Sequence, residues 1–303
     1  MEQIVNHKGY WCKVVHQGWK VRQWKSEKTG QCETLIYPRK LYVPEGDIDD
    51  PAVLVNEIDQ SGTLVEEERK EAARKAARVR NKAKAKAKCR HTIKTYALRQ
   101  LATGTYKENM VDFDRARRDF AAFLRLMRRY IPGFRAVYAF ERQDRGAWHW
   151  HAAIDKLPPF FVHEGVRLRS FDFVRRMWVR VVGRYEGKDN GTVNFDGHNK
   201  TKLGTPAKWT GNQSLALIAG YVSKYLTKDT EEGIEGRNMW GRTQGITAEK
   251  PVTMEFSEPC SLADVIRLAF AVPEGHRIVQ HACWGFGKFW RLYTEPDPDY
   301  VVP

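Results

Sequence analysis

Two stretches of the chain hold side chains whose types and spacing could do chemistry together. The first is AVYAFERQDRGAWHWHAAID, Ala136 to Asp155. It reads as two strands around a polar turn of Gln143, Asp144, Arg145 and Gly146. His149 and His151 lie two apart in the second strand, so period-two geometry sends both imidazoles to one face and Trp148 and Trp150 to the other. If the hairpin pairs symmetrically about Arg145, Glu141 stands opposite His149 and Ala139 opposite His151. Two neutral imidazoles and a carboxylate on one sheet face make a three-ligand site for a divalent cation with open positions. The second stretch is GYVSKYLTK, Gly220 to Lys228. On a helix, Tyr221, Lys224 and Tyr225 share one face, bringing two phenols and an ammonium together. A phenol near pKa ~10 becomes a nucleophile only when its surroundings activate it, and Lys224 is placed to stabilise the negative charge that develops on attack. Each stretch has a plainer reading, a polar strand face for the histidines and core packing for the tyrosines. The pair is more specific than either.

A His–hydrophobic–His strand followed by a Tyr-x-x-Lys-Tyr helix resembles the HUH endonuclease superfamily, specifically its rolling-circle replication initiators (Rep proteins). Glu141, Arg145-Gly146 and the histidine pair resemble the replication-associated proteins of single-stranded DNA bacteriophages. Histidines before tyrosines is the Rep order, and two tyrosines four apart match the two-tyrosine class. The family's first motif, a Thr-Leu-Thr strand, corresponds to Leu101-Ala102-Thr103-Gly104-Thr105-Tyr106, with Ala and Gly as departures. The resemblance covers roughly residues 94 to 245. It implies an α+β fold with a central antiparallel sheet and flanking helices. It also implies Mg²⁺ or Mn²⁺ on His149, His151 and Glu141, with Tyr221 and Tyr225 cutting single-stranded DNA at a replication origin through a 5′-phosphotyrosine. A host polymerase would extend the free 3′-OH. Gly287-Lys288-Phe289 fails the last position of a phosphate-binding loop, so duplex opening would fall to a host helicase or to supercoiling. A two-tyrosine HUH transposase would use the same residues. A simple metal-dependent hydrolase would need no tyrosine, and a non-enzymatic nucleic-acid binder would need neither set.

These residues must be positioned by a chain of 303 residues, 42% hydrophobic, long enough for one main domain with additions. No apolar run reaches membrane-spanning length and Met1 opens no signal-peptide pattern, so the expectation is a bacterial host's cytoplasm with no membrane partner. Cys12, Cys32, Cys89, Cys260 and Cys283 are odd in number and far apart, the pattern of reduced thiols. His7, Cys12, His16 and Cys32 fit no common zinc knuckle. The net charge of +14 points to a polyanionic partner. Between Arg69 and Arg90 stand eleven Lys or Arg against one acid, Glu71, so most of the surplus lies in one segment. Arg74, Lys75, Arg78, Lys82, Lys84, Lys86 and Lys88 on this helix are candidates for phosphate-backbone contact, the alternative being a solvated helix.

The expected organisation is an N-terminal extension with an acidic linker (1–64), the basic helix (65–93), the endonuclease domain (94–230) and a C-terminal extension (231–303). Small antiparallel strands are expected before Tyr42 and a linker over Pro44 to Gly62. Tyr96 to Tyr106 is the expected first core strand. Asp114 to Tyr130 is a helix with a Phe113, Ala116, Phe120, Phe123, Leu124, Met127 stripe and an arginine-rich opposite face. Ser170 is the expected cap of a helix over Phe171 to Val182. A strand at Gly191 to Phe195, a polar loop over Asp196 to Gln213 and the tyrosine helix, Ser214 to Thr227, follow. Ser261 to Phe270 is a further helix, and Glu295 to Pro303 a loose tail.

Overall fold

The computed structural model describes residues 4–7, 10–44, 62–195, 215–228, 239–257, 259–269, 274–284 and 289–300. The linker expected over 45–61 and the loop Asp196 to Gln213 lie outside the described residues. In chain order the elements are β1 (Ile4–His7), β2 (Tyr10–Lys25), β3 (Cys32–Pro44), α1 (Gly62–Thr95), β4 (Gln100–Tyr106), α2 (Phe113–Tyr130), β5 (Ala136–Arg142) and β6 (Trp148–Ile154). Then come β7 (Phe160–His163), β8 (Val166–Arg169), α3 (Ser170–Val182), β9 (Arg184–Tyr185), β10 (Lys188–Asp189), β11 (Gly191–Phe195) and α4 (Leu215–Lys228). The chain closes with β12 (Trp240–Arg242), β13 (Val252–Phe256), α5 (Leu262–Ala269), β14 (His276–Trp284) and β15 (Phe289–Pro296). The fold is α+β, with antiparallel sheets and flanking helices.

Two compact units divide the chain: residues 1–25, 30–84 and 250–303 in one, and 26–29 with 85–249 in the other. In the first, strands from both ends of the chain share a sheet of order β1-β2-β3-β15-β14, with β13 also paired to β2. Val265 of α5 packs there with Val21 and Ile36.

The second unit is built on a five-stranded antiparallel sheet of order β11-β4-β6-β5-β12. All seven residues of β6 are buried, so both faces of this strand are covered. On one face Trp150 lies 4.8 Å from Phe120, 5.3 Å from Phe123 and 5.4 Å from Trp178, the aromatic stripes of α2 and α3. The apolar period of α2 meets the sheet as its spacing requires, and the Asp112 carboxylate caps the helix by accepting from Arg115 N–H. On the other face, α4 and the last turns of α1 pack on Leu101, Val137, Ala139 and Ala153.

Two local expectations are corrected. Tyr96 does not begin the strand: α1 continues to Thr95, and a turn with Ala97 in the left-handed region (φ 49°) delays β4 to Gln100. The Tyr96 and Leu98 amides donate to the carbonyls of Thr92 and Ile93, closing the helix end. Ser170 does not cap α3. It lies in the first turn and its hydroxyl donates to the Pro158 carbonyl, leaving Arg169 at the cap with no side-chain bond.

Gly104 of β4 pairs with Trp150, and a Cβ built on it would lie 2.0 Å from the indole. Thus the glycine that departs from the Thr-Leu-Thr motif makes room for the largest buried ring of the sheet. Gly104→Ala should cost about 1–3 kcal/mol by overpacking, read as a lower urea midpoint with an unchanged m value.

Candidate active site

The hairpin of β5 and β6 comes first because its register decides what meets what. The turn closes through Gly146 N–H to the Gln143 carbonyl (2.7 Å) and Gln143 N–H to the Ala147 carbonyl (2.9 Å), with Gly146 at φ 86°. Glu141 pairs with His149 and Ala139 with His151, the symmetric register expected from the sequence. On the other flank Thr103 of β4 pairs with His151.

His151 is therefore held from two sides. Its Nδ1 is 2.9 Å from Thr103 Oγ1 and its Nε2 is 2.8 Å from Glu141 Oε2. With Nε2–H donating to the carboxylate, Nδ1 accepts from the hydroxyl. Because a hydroxyl can also accept, the opposite tautomer keeps the Thr103 bond and turns the Nε2 lone pair toward a cation. His149 is buried as well, and its Nε2 has no hydrogen-bond partner among the described residues. Burial pushes its pKa down to about 4, helped by His151 and Arg145 and opposed by Glu141.

The tyrosine helix α4 buries Leu215, Ile218, Ala219, Val222, Tyr225 and Leu226, a stripe with the helical period. That stripe carries the tyrosines onto the histidine face. The Tyr225 ring stacks on His151 at 4.0 Å and 4°, and Tyr225 is only 5% exposed. Tyr221, partly buried, meets His151 edge-on at 5.6 Å and Tyr225 at 5.1 Å. Lys224 is exposed, its Nζ 4.7 Å from the Tyr221 ring centre and 5.0 Å from that of Tyr225.

The six residues singled out for chemistry are thus neighbours. Thr103 joins them, a residue to which the motifs alone assign no role. Its signal lies in the alternation Leu101-x-Thr103-x-Thr105, which puts Thr103 on the histidine face. The basic-helix residues form a separate set: Arg74, Lys75, Arg78, Lys84 and Lys88 are exposed, and Lys82 and Lys86 half-buried.

Among the described residues, no three His, Cys, Asp or Glu side chains stand ready to enclose an ion. The reason is local, since His151 Nε2 and Glu141 bond directly to each other. The donor set nonetheless fits a divalent cation. It offers a buried, unpartnered imidazole nitrogen, a second imidazole oriented through its far nitrogen by Thr103, and a carboxylate beside both.

The depressed His149 pKa has a measurable consequence. Folded His149 takes its proton near pH 4, an unfolded histidine near 6.5, so between these values the unfolded chain binds more protons. Stability should fall as pH drops through that window in the presence of EDTA. His149→Gln should flatten this part of a plot of urea midpoint against pH.

Residues 99–230, which run from the turn before β4 through α4 and contain Thr103, Glu141, both histidines, both tyrosines and Lys224, match a protein-family model. No curated protein and no solved structure matches the chain. The family matched is the replication-associated protein ORF2 family, which supports a replication initiator.

Proposed function

We propose that the protein initiates rolling-circle replication by nicking and rejoining single-stranded DNA at an origin through a phosphotyrosine intermediate. The observation that carries this reading is the contact of Tyr221 and Tyr225 with His151, itself clasped between Thr103 and Glu141. The replication-associated match favours an initiator over a transposase.

In the forward step a tyrosine oxygen attacks the phosphorus and the P–O3′ bond breaks. The phenolic proton passes to solvent and the departing 3′ oxygen takes one up. The products are a 5′-phosphotyrosine and a 3′-OH that a host polymerase can extend. The reverse attack by a 3′-OH rejoins the strand without ATP, because the phosphodiester energy stays in the protein–DNA bond. Lys224 lies near both phenols, where its positive charge favours the phenolate and meets charge developing on the phosphate. His149, His151 and Glu141 are the residues to hold Mg²⁺ or Mn²⁺. The bound cation would supply Lewis-acid polarisation of a phosphate oxygen. Thr103 keeps the His151 ring fixed by its Nδ1 bond. Two phenols on one helix face would let a second nucleophile act while the first is occupied.

Incubation with Mn²⁺ and single-stranded fragments of the replicon that encodes the protein tests the reading on a denaturing gel. Tyr221→Phe and Tyr225→Phe should each still form some covalent adduct but fail over repeated rounds. The double variant and His151→Ala should form none while still binding DNA. An adduct in the double variant overturns the tyrosine assignment, and full activity of His151→Ala with EDTA present overturns the metal assignment.

The basic helix belongs to the same proposal as a sequence-independent contact to DNA phosphates. Replacing Arg74, Lys75, Arg78 and Lys84 with Gln should lower the slope of log K against log salt by about 0.7 for each phosphate no longer neutralised on a single strand. Cleavage at saturating DNA should persist. An unchanged slope would mean that α1 is a solvated helix.

A further inference from the structure

The sheet face away from the tyrosines is covered by α2 and α3, and beyond α3 stands the small hairpin of β7 and β8. One side of the hairpin is anchored. Phe161 stacks on Phe173 at 4.5 Å, Leu168 is buried, and His163 meets Tyr130 and Phe173 at 5.1 and 5.8 Å. Period two sends the other side outward, and there the residues are apolar and cationic in alternation. Phe160 pairs with Arg169 and Val162 with Arg167. Phe160 is 43% and Val162 77% exposed, and the Arg167 guanidinium lies 4.1 Å from the Phe160 ring centre.

Next to the hairpin is an open groove of about 660 Å³ lined by Leu168, Asp172, Arg175, Arg176, Val179 and Arg180, among others. Arg175 is tied to Asp189 at 3.1 Å, whereas Arg176 and Arg180 line the groove and Arg180 reaches the Tyr130 hydroxyl at 3.5 Å. Residues 160–184 hold six arginines against Glu164 and Asp172. The surface therefore offers fixed positive charge beside uncovered aromatic and apolar side chains.

We infer that this hairpin and the outer face of α3 form a second binding surface for single-stranded DNA, distinct from the cutting site. The inference rests on the reading that the substrate is single-stranded DNA. Arginines suit its phosphates, and an exposed Phe flanked by guanidinium suits unpaired bases, whose rings a duplex would hide. The surface cannot be another part of the nick site. Phe173, Met177 and Trp178 of α3 pack in the Trp150 core, whereas Tyr221 and Tyr225 pack on the opposite sheet face. The groove thus holds a segment of strand away from the phosphodiester that is cut.

The experiment compares the full chain with Arg167→Gln/Arg169→Gln/Arg176→Gln/Arg180→Gln and with Phe160→Ala. Two probes are used, a short oligonucleotide spanning only the nick site and a long single strand containing it. For the long strand the four-arginine variant should lose about 2–3 from the salt slope, and Phe160→Ala should weaken binding about tenfold with the slope kept. Covalent adduct formation on the short oligonucleotide should stay at the parent level in both. Unchanged binding of the long strand, or an equal loss on both probes, overturns the proposal. So does a duplex of the same sequence that loses as much affinity as the single strand, or capture of an acidic protein while DNA binding is unaffected. If the parent binds the long strand through this surface yet forms no adduct, the second surface stands and the nicking function falls.

Discussion

Strand β6 is buried on both faces, and the rest of the catalytic unit depends on the alternation this enforces. Its tryptophans enter the aromatic layer of α2 and α3, and its histidines enter the layer under α4. A slip of one residue would drive indoles into the histidine pocket and imidazoles into an aromatic core, where their polar atoms would find no partner. Register is therefore held by packing from both sides, in addition to the hairpin turn. The same constraint accounts for Gly104, since the ring of Trp150 occupies the space a side chain there would need.

His151 is the point where this constraint becomes chemistry. Three elements converge on one imidazole: Thr103 from β4, Glu141 from β5 and Tyr225 from α4. The ring is fixed in plane by its two hydrogen bonds and across the plane by the stacked phenol, so little of its position is left to be ordered when a ligand arrives. The tyrosine pair is not symmetric in this setting. Tyr225 lies against the imidazole and is nearly covered, while Tyr221 is edge-on and partly open. Lys224 is the exposed member of the group, where an incoming anion can meet it.

Much of the catalytic unit was legible from local pattern alone. The hairpin, its symmetric register, the aromatic stripe of α2 and the common face of Tyr221, Lys224 and Tyr225 all follow from periods of two and 3.6, which act within a few residues. The fold class was legible for the same reason. The ends of elements were less so. The Leu98 amide reaches back to Ile93 and Ser170 donates to Pro158, contacts that propensity does not encode.

By itself the sequence determined which side chains share a strand or helix face, because backbone geometry repeats at fixed intervals. Tertiary structure alone decided which faces meet. That Thr103 would hold His151, that Tyr225 would stack on it rather than line a separate core, and that strands near the two chain ends would share one sheet depend on pairings far apart in sequence. Such pairings are selected by burial and hydrogen bonding summed over the folded unit, and no local spacing carries that sum.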